Sequence, residues 1–397
     1  MTSRRDFLKY SSLLSAATLM PGFLCSMEGS QLSANGKKLL IIQLSGGCDG
    51  LNTVIPFAQD DYYRARPGLG ISAGEVLNLN DQQGLNPALA ALRPIYDQGQ
   101  LTILNSVGYP NPDRSHFRSM DIWHTASNSD EYWSHGWLGR YLDADCAGCA
   151  DPHKVLEIDD SLSLAVKGEV RHALAVSNPQ RLYQATKDPY LQKLVETHGS
   201  PSEGNDLDFM YKTMTQTMSS AEYVYDQSKI YRSTGDYPAH AFGKQMKQVA
   251  ELIISGTSTE VYYVSLSGFD THARQKPTQD RLFKIYGEAV QAFVKDMEKN
   301  GLMDEVLVMT FSEFGRRVAQ NASGGTDHGK ANNVFLIGGN LKTPGFYNQM
   351  PDLSKLDDGD VNWEIDFRQI YASLLNDWLG VDDQAILKRK FKKLALV

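Results

Sequence analysis

The segment 306–339, VLVMTFSEFGRRVAQNASGGTDHGKANNVFLIGG, constrains the fold more than any other part of the chain. Its opening VLVMTF is a nearly unbroken apolar run, short enough for a strand and without the polar alternation of a one-sided sheet. Such a strand is buried on both faces, as central parallel strands are. In open α/β sheets, ligands bind just beyond the carboxyl ends of the strands. The groups that follow this run, Glu313, Phe314, Arg316 and Arg317, are therefore placed for chemistry. Thr326, Asp327, His328 and Gly329 precede a second apolar run at 334–337, which reads as the next strand. Taken singly, each polar residue reads more readily as a helix cap, a surface pair or a turn.

The pattern recurs, and the recurrence singles those residues out. A strand at 38–44 breaks into SGGCDGLN, whose glycines permit a tight turn exposing Asp49. A strand at 101–107 empties into GYPNPDRSHF and then a helix running toward Thr125. Ser115 falls in or near the first helical turn, where backbone N–H groups can hold an anion; Asp113 or Ser115 acting only as the N-cap explains the same residues. A strand at 261–266 ends in SGFDTH, with Asp270 and His272. Helical apolar stripes precede and follow it: Phe242, Met246, Val249 and Ile253, then Leu282, Ile285, Tyr286, Ala289 and Phe293. Short helices at 87–96 and 366–379 complete the rhythm. The polar middle, about 130–240, reads as a largely helical cap inserted in the α/β domain, with strands at 154–158 and 164–176.

Paired Arg4 and Arg5 in SRRDFLK, followed by a mildly apolar stretch at 13–24, form a twin-arginine export signal. The expected organisation is a signal and linker over 1–34 and a single domain over 35–397. Periplasmic or exported residence follows, with the twin-arginine translocase as a partner. No run reaches the roughly twenty apolar residues of a membrane span. A net charge of -8 argues against nucleic-acid binding, which needs clustered Lys and Arg. Cys25 lacks the small preceding residues of a lipid-anchor site. Cys146 and Cys149 read as a local disulfide in an oxidising compartment, leaving Cys48 unpaired.

Carboxylates and imidazoles at several strand ends are the ligand set for zinc, manganese or a similar divalent ion. No P-loop, dinucleotide fingerprint or Gly-x-Ser-x-Gly elbow competes. In their order, the twin-arginine signal, SGGCDGLN, RSHF with DIW, GFDTH, TFSEFGRR and GTDHG closely resemble the exported bacterial family known as domain of unknown function 1501. That family is similar to the alkaline phosphatase and sulfatase superfamily, a doubly wound, mostly parallel α/β sheet with metal ligands and a nucleophile at its strand ends.

The resemblance implies Ser115 as nucleophile and Asp49, Asp270, His272 and His328 as metal ligands for one or two ions; beside them, Glu313 and Asp327 are further candidate ligands and His116 and Arg316 candidate catalytic groups, Arg316 to hold the anionic group. Phe314 stands where the superfamily carries a ligating histidine, and Glu313 where it carries an aspartate. The expected activity is hydrolysis or transfer of a phosphate or sulfate ester, on a small anionic ester or an exported polymer. Two alternatives stay open: a noncatalytic periplasmic binding protein with a degenerate site, and a metal-free serine hydrolase.

Overall fold

The computed structural model describes residues 36–144, 152–197 and 206–397. The arginine pair, Cys25 and the Cys146/Cys149 pair lie outside the described residues. One sheet is built from β1 (Lys38–Ser45), β2 (Leu101–Gly108), β3 (Val155–Glu157), β4 (Leu174–Ala175), β5 (Val261–Ser267), β6 (Val306–Phe311), β7 (Asn332–Gly338), β8 (Gly345–Phe346) and β9 (Ile365–Asp366). The strand order is β8-β2-β7-β6-β1-β5-β3-β4, and β9 also pairs with β2. The doubly wound, mostly parallel α/β architecture expected from the sequence is the one observed.

The two-sided core explains the continuous apolar runs. Along β1, Leu40 and Ile42 face one layer with Phe283, Tyr286 and Val290, while Leu39 and Ile41 face the other with Trp123 and Tyr371. The first layer is supplied by the helices Ala241–Ile254 and Gln275–Lys299, and the second by α1 (His116–Thr125) and Phe367–Ser373. β1 lies between β5 and β6, parallel to both, with Ile41 opposite Tyr263 and Met309.

β7 is the exception, running antiparallel to both β6 and β2. A parallel return would need a crossover, usually a helix. The segment between β6 and β7 contains none, so it never leaves the edge where β6 ends. That is why Glu313, Arg316, Asp327 and His328, spread along one loop, stay beside the ends of β1, β2 and β5. In the middle region, β3 and β4 extend the central sheet beside β5, and Leu164–Val166 forms a 3-10 turn within the stretch read as one strand. The helices Pro179–Thr186, Pro189–Thr197 and Asp206–Ile230 follow. Among the described residues, no helix is long and apolar enough to cross a membrane.

Candidate metal centre

The end of β1 turns through Gly46 and Gly47, both at positive φ (117° and 69°). A Cβ on Gly46 would meet the Asp270 backbone nitrogen at 2.4 Å, and one on Gly47 the Phe314 ring at 2.3 Å. The glycines therefore let this turn pack directly against the Phe269–Asp270 loop and Phe314. Arg316 closes the assembly from beneath. It donates to the carbonyls of Gly47 (2.6 Å), Thr326 (3.0 Å), Phe269 (3.0 Å) and Gly46, and to Asp270 Oδ1 (2.8 Å). Buried and bonded through all three of its nitrogens, Arg316 ties three loops together.

Three imidazoles converge above it. His116 Nδ1 donates to Glu313 Oε1 at 2.8 Å, His272 Nδ1 to Asp327 Oδ1 at 3.1 Å, and His328 Nδ1 to the Arg114 carbonyl at 2.7 Å. Carboxylates and carbonyls only accept, so each Nδ1 carries the proton and each Nε2 presents a lone pair when the ring is neutral. All three Nε2 atoms point at one oxygen, Asp270 Oδ1, at 3.4 Å from His116, 3.2 Å from His272 and 3.3 Å from His328. His272 and His328 also face each other, Nε2 to Nε2, at 2.9 Å. Four acceptors thus crowd together. Among the described residues only Arg316 brings them a proton, and His116 Nε2 is buried without a hydrogen-bond partner. One coordinating atom each from His116, Asp270 and His328 lies within 4.8 Å of the others, a spacing that suits a single ion.

The remaining groups hold this arrangement in place. Glu313 is buried and accepts from the Gly46 amide (2.8 Å) and the Ser312 hydroxyl (3.1 Å) as well as from His116. The Phe314 ring packs on His116 and His328, with centroids 4.9 Å and 4.8 Å away. Burial opposes ionisation of Asp270, yet the hydrogen bond and the charge of Arg316 outweigh it and hold its pKa below the usual carboxylate value. The hydrogen bond to Glu313 raises the pKa of His116 against the opposing effect of burial, whereas burial lowers that of His328.

Among the residues singled out from the sequence, His116, Asp270, His272 and His328 meet here. Asp49 does not. It is fully buried, clamped by Arg66 through Nη1–Oδ2 (2.6 Å) and Nη2–Oδ1 (3.0 Å), and it also accepts from Gln275 Nε2 and the Leu51 amide. Its carboxylate caps the turn Gly50–Thr53 that follows β1. Glu313 and Asp327 each spend an oxygen on orienting an imidazole, so they stand behind the cluster. Arg316 is buried, and each of its three guanidinium nitrogens already bonds to the surrounding loops. Ser115 is the N-cap of α1, exposed and making no side-chain cap bond, immediately before His116. Sequence reasoning missed Arg66, Gln275 and the Arg114 carbonyl. Only Arg66 left a signal, since a buried strand-end aspartate requires a cationic partner if no metal holds it.

Fold and site define a class: an α/β protein with a mostly parallel sheet that carries an imidazole–carboxylate cluster at the carboxyl edge of its strands. The chain belongs to the family described as proteins of unknown function, DUF1501, whose model matches residues 100–393. No curated protein matches it. Among solved structures it is similar to the lipoteichoic acid synthase LtaP from Listeria monocytogenes, with 10% identity and a TM-score of 0.42 over 92% of this chain and 77% of that one. A protein in the alkaline phosphatase superfamily from Vibrio parahaemolyticus gives 9% identity and a TM-score of 0.39, covering 89% and 70%. The C-terminal periplasmic domain of EcEptC from Escherichia coli, in complex with Zn, gives 10% and 0.37, covering 76% and 72%.

Proposed function

We propose that this is an exported, metal-dependent hydrolase or transferase acting on a phosphate or sulfate ester, with a divalent ion, zinc or manganese, held by His116, Asp270 and His328 and flanked by His272. The observation that carries this reading is the convergence of three imidazole Nε2 atoms on Asp270 Oδ1 while every Nδ1 is tied to an acceptor. Ligating histidines are held in this way, with the outer nitrogen bonded to a carboxylate or carbonyl that fixes tautomer and ring orientation. A bound ion supplies Lewis-acid charge, favouring the ionised form of a nucleophilic hydroxyl and polarising an ester oxygen.

The chain's own residues supply the rest. Ser115, exposed at the N-cap of α1, is the nucleophile, and the first-turn amides of that helix face the anionic ester group. These amides, rather than Arg316, are the anion-holding groups, since Arg316 is buried with each guanidinium nitrogen already bonded to a loop. Arg316 instead keeps Asp270 ionised and fixed in place. Phe314 excludes water from one side of His116 and His328 and keeps their rings from turning.

The test is turnover of 4-nitrophenyl phosphate and 4-nitrocatechol sulfate by zinc- or manganese-loaded protein. Ser115→Ala should remove turnover while leaving metal content intact, and His328→Ala should remove both. A second reading, a noncatalytic binding protein, is favoured by one specific observation: Asp49, the carboxylate a second ion would require, is neutralised by Arg66. Metal retention with no turnover of either ester would select it.

A further inference from the structure

We infer that a second site, independent of the imidazole cluster, binds a neutral oligosaccharide. It is a cleft of about 740 Å³ between the segment carrying Asn80, Gln82 and Gln83 and the segment 346–352 that follows β8. Its size is that of a ligand-binding pocket, but such pockets are mostly apolar with a few polar groups. This one is lined chiefly by side-chain amides, with no lysine or arginine and a single acid, Asp352. That acid is occupied by Lys355 at 3.0 Å and by the Ser354 amide at 3.0 Å. An anion would find no uncommitted cation among the lining residues, and an apolar ligand would strip solvent from the exposed Gln82 and Gln349 amides.

Amides both donate and accept, which matches sugar hydroxyls, since these do the same. The cleft also has a built frame. Gln59 Nε2 donates to the Pro351 carbonyl (2.7 Å) while its Oε1 accepts from the Leu353 amide (2.9 Å). Asn348 exchanges two hydrogen bonds with the Asn105 backbone (2.8 and 3.0 Å), and buried Gln83 accepts from Asn105 Nδ2 at 3.3 Å. Against this fixed frame, the side-chain amides of exposed Gln82 and Gln349 take no partner among the described residues. Phe346, backed by Tyr96 at 6.2 Å between centroids, and Tyr347, packed on the core, are the aromatic lining residues. Aromatic lining residues beside solvent-facing amides suit the apolar C–H faces and hydroxyl edges of a pyranose chain.

Isothermal titration of the full chain, with EDTA present so that the imidazole site plays no part, tests this with cellohexaose, maltohexaose and hexa-N-acetylchitohexaose against an acidic oligogalacturonate. Saturable binding of at least one neutral chain is expected, weakened roughly tenfold in Tyr347→Ala. The exposed pair Gln82→Ala and Gln349→Ala, which no fold contact requires, should weaken it as well. No saturable binding of any neutral chain, preference for the acidic one, or binding unchanged in both variants would overturn the inference.

Discussion

His272 and His328 face each other through Nε2 atoms 2.9 Å apart, and each has committed its Nδ1 proton elsewhere, to Asp327 and to the Arg114 carbonyl. Two neutral imidazoles in this state oppose lone pair to lone pair beside the ionised Asp270. A cation or an added proton must relieve that contact, and the two remedies have different consequences.

If a metal relieves it, the groups behind the histidines tune affinity. Asp327 is mostly exposed and contributes little to the core, so Asp327→Ala should leave the melting temperature nearly unchanged. It should still weaken zinc binding about 10- to 100-fold, the usual cost of losing an orienting carboxylate. Competition with a chromogenic chelator measures this directly.

pH separates the two remedies. The hydrogen bond from His116 to Glu313 raises the folded-state pKa of His116 above its unfolded value. Its contribution to stability is therefore fully present below about pH 6.5 and is lost as pH rises through the folded pKa. Metal-free protein should melt at progressively lower temperature across that window. Zinc affinity should rise over the same window, because a ligating Nε2 must be deprotonated. His116→Gln should flatten both curves in thermal melts with and without EDTA.

Asp49 and Arg66 form a buried pair with both side chains fully inaccessible. Arg66→Ala leaves a carboxylate stranded in the interior and should cost about 3–5 kcal/mol of stability. Asp49→Asn should also destabilise, yet retain the metal. Urea unfolding and metal analysis on the same preparations would show it. Loss of metal from Asp49→Asn at unchanged stability would return Asp49 to the ligand set.

Gly47 offers a purely steric test. Its φ of 69° and the Phe314 ring at 2.3 Å from a notional Cβ leave no room for a side chain. Gly47→Ala should cost about 1–3 kcal/mol from backbone strain alone, and, by displacing Phe314 from His116 and His328, weaken zinc binding too. Denaturant melts and the chelator competition read the two effects separately.

Much of this was legible in the sequence because apolar runs buried on two faces leave few arrangements open. The strands at 38–44, 101–107, 261–266 and 306–311 and the helix start at Ser115 follow from periodicity and turn chemistry alone. Periodicity places a residue at a strand end but does not aim its side chain. Glu313 and Asp327, expected as ligands, each accept from an imidazole Nδ1; His116, expected to assist catalysis, turns its Nε2 toward Asp270; and loop carbonyls take most of the Arg316 bonds. The antiparallel sense of β7 was a readable signal left unused: the segment 312–331 has no helical period with which to cross over. The middle region was harder, since Val155–Glu157 and Leu174–Ala175 are too short for alternation to show that they join the central sheet.

Whether the imidazole cluster holds an ion is tested most directly by elemental analysis of the full chain purified without added metal. The prediction is stoichiometric zinc or manganese in the wild type, retained in Ser115→Ala and Asp49→Asn, and lost in His328→Ala and in Asp270→Ala. Wild-type protein that carries no divalent metal, and whose melting temperature does not move when zinc is added above the His116 transition, would contradict it.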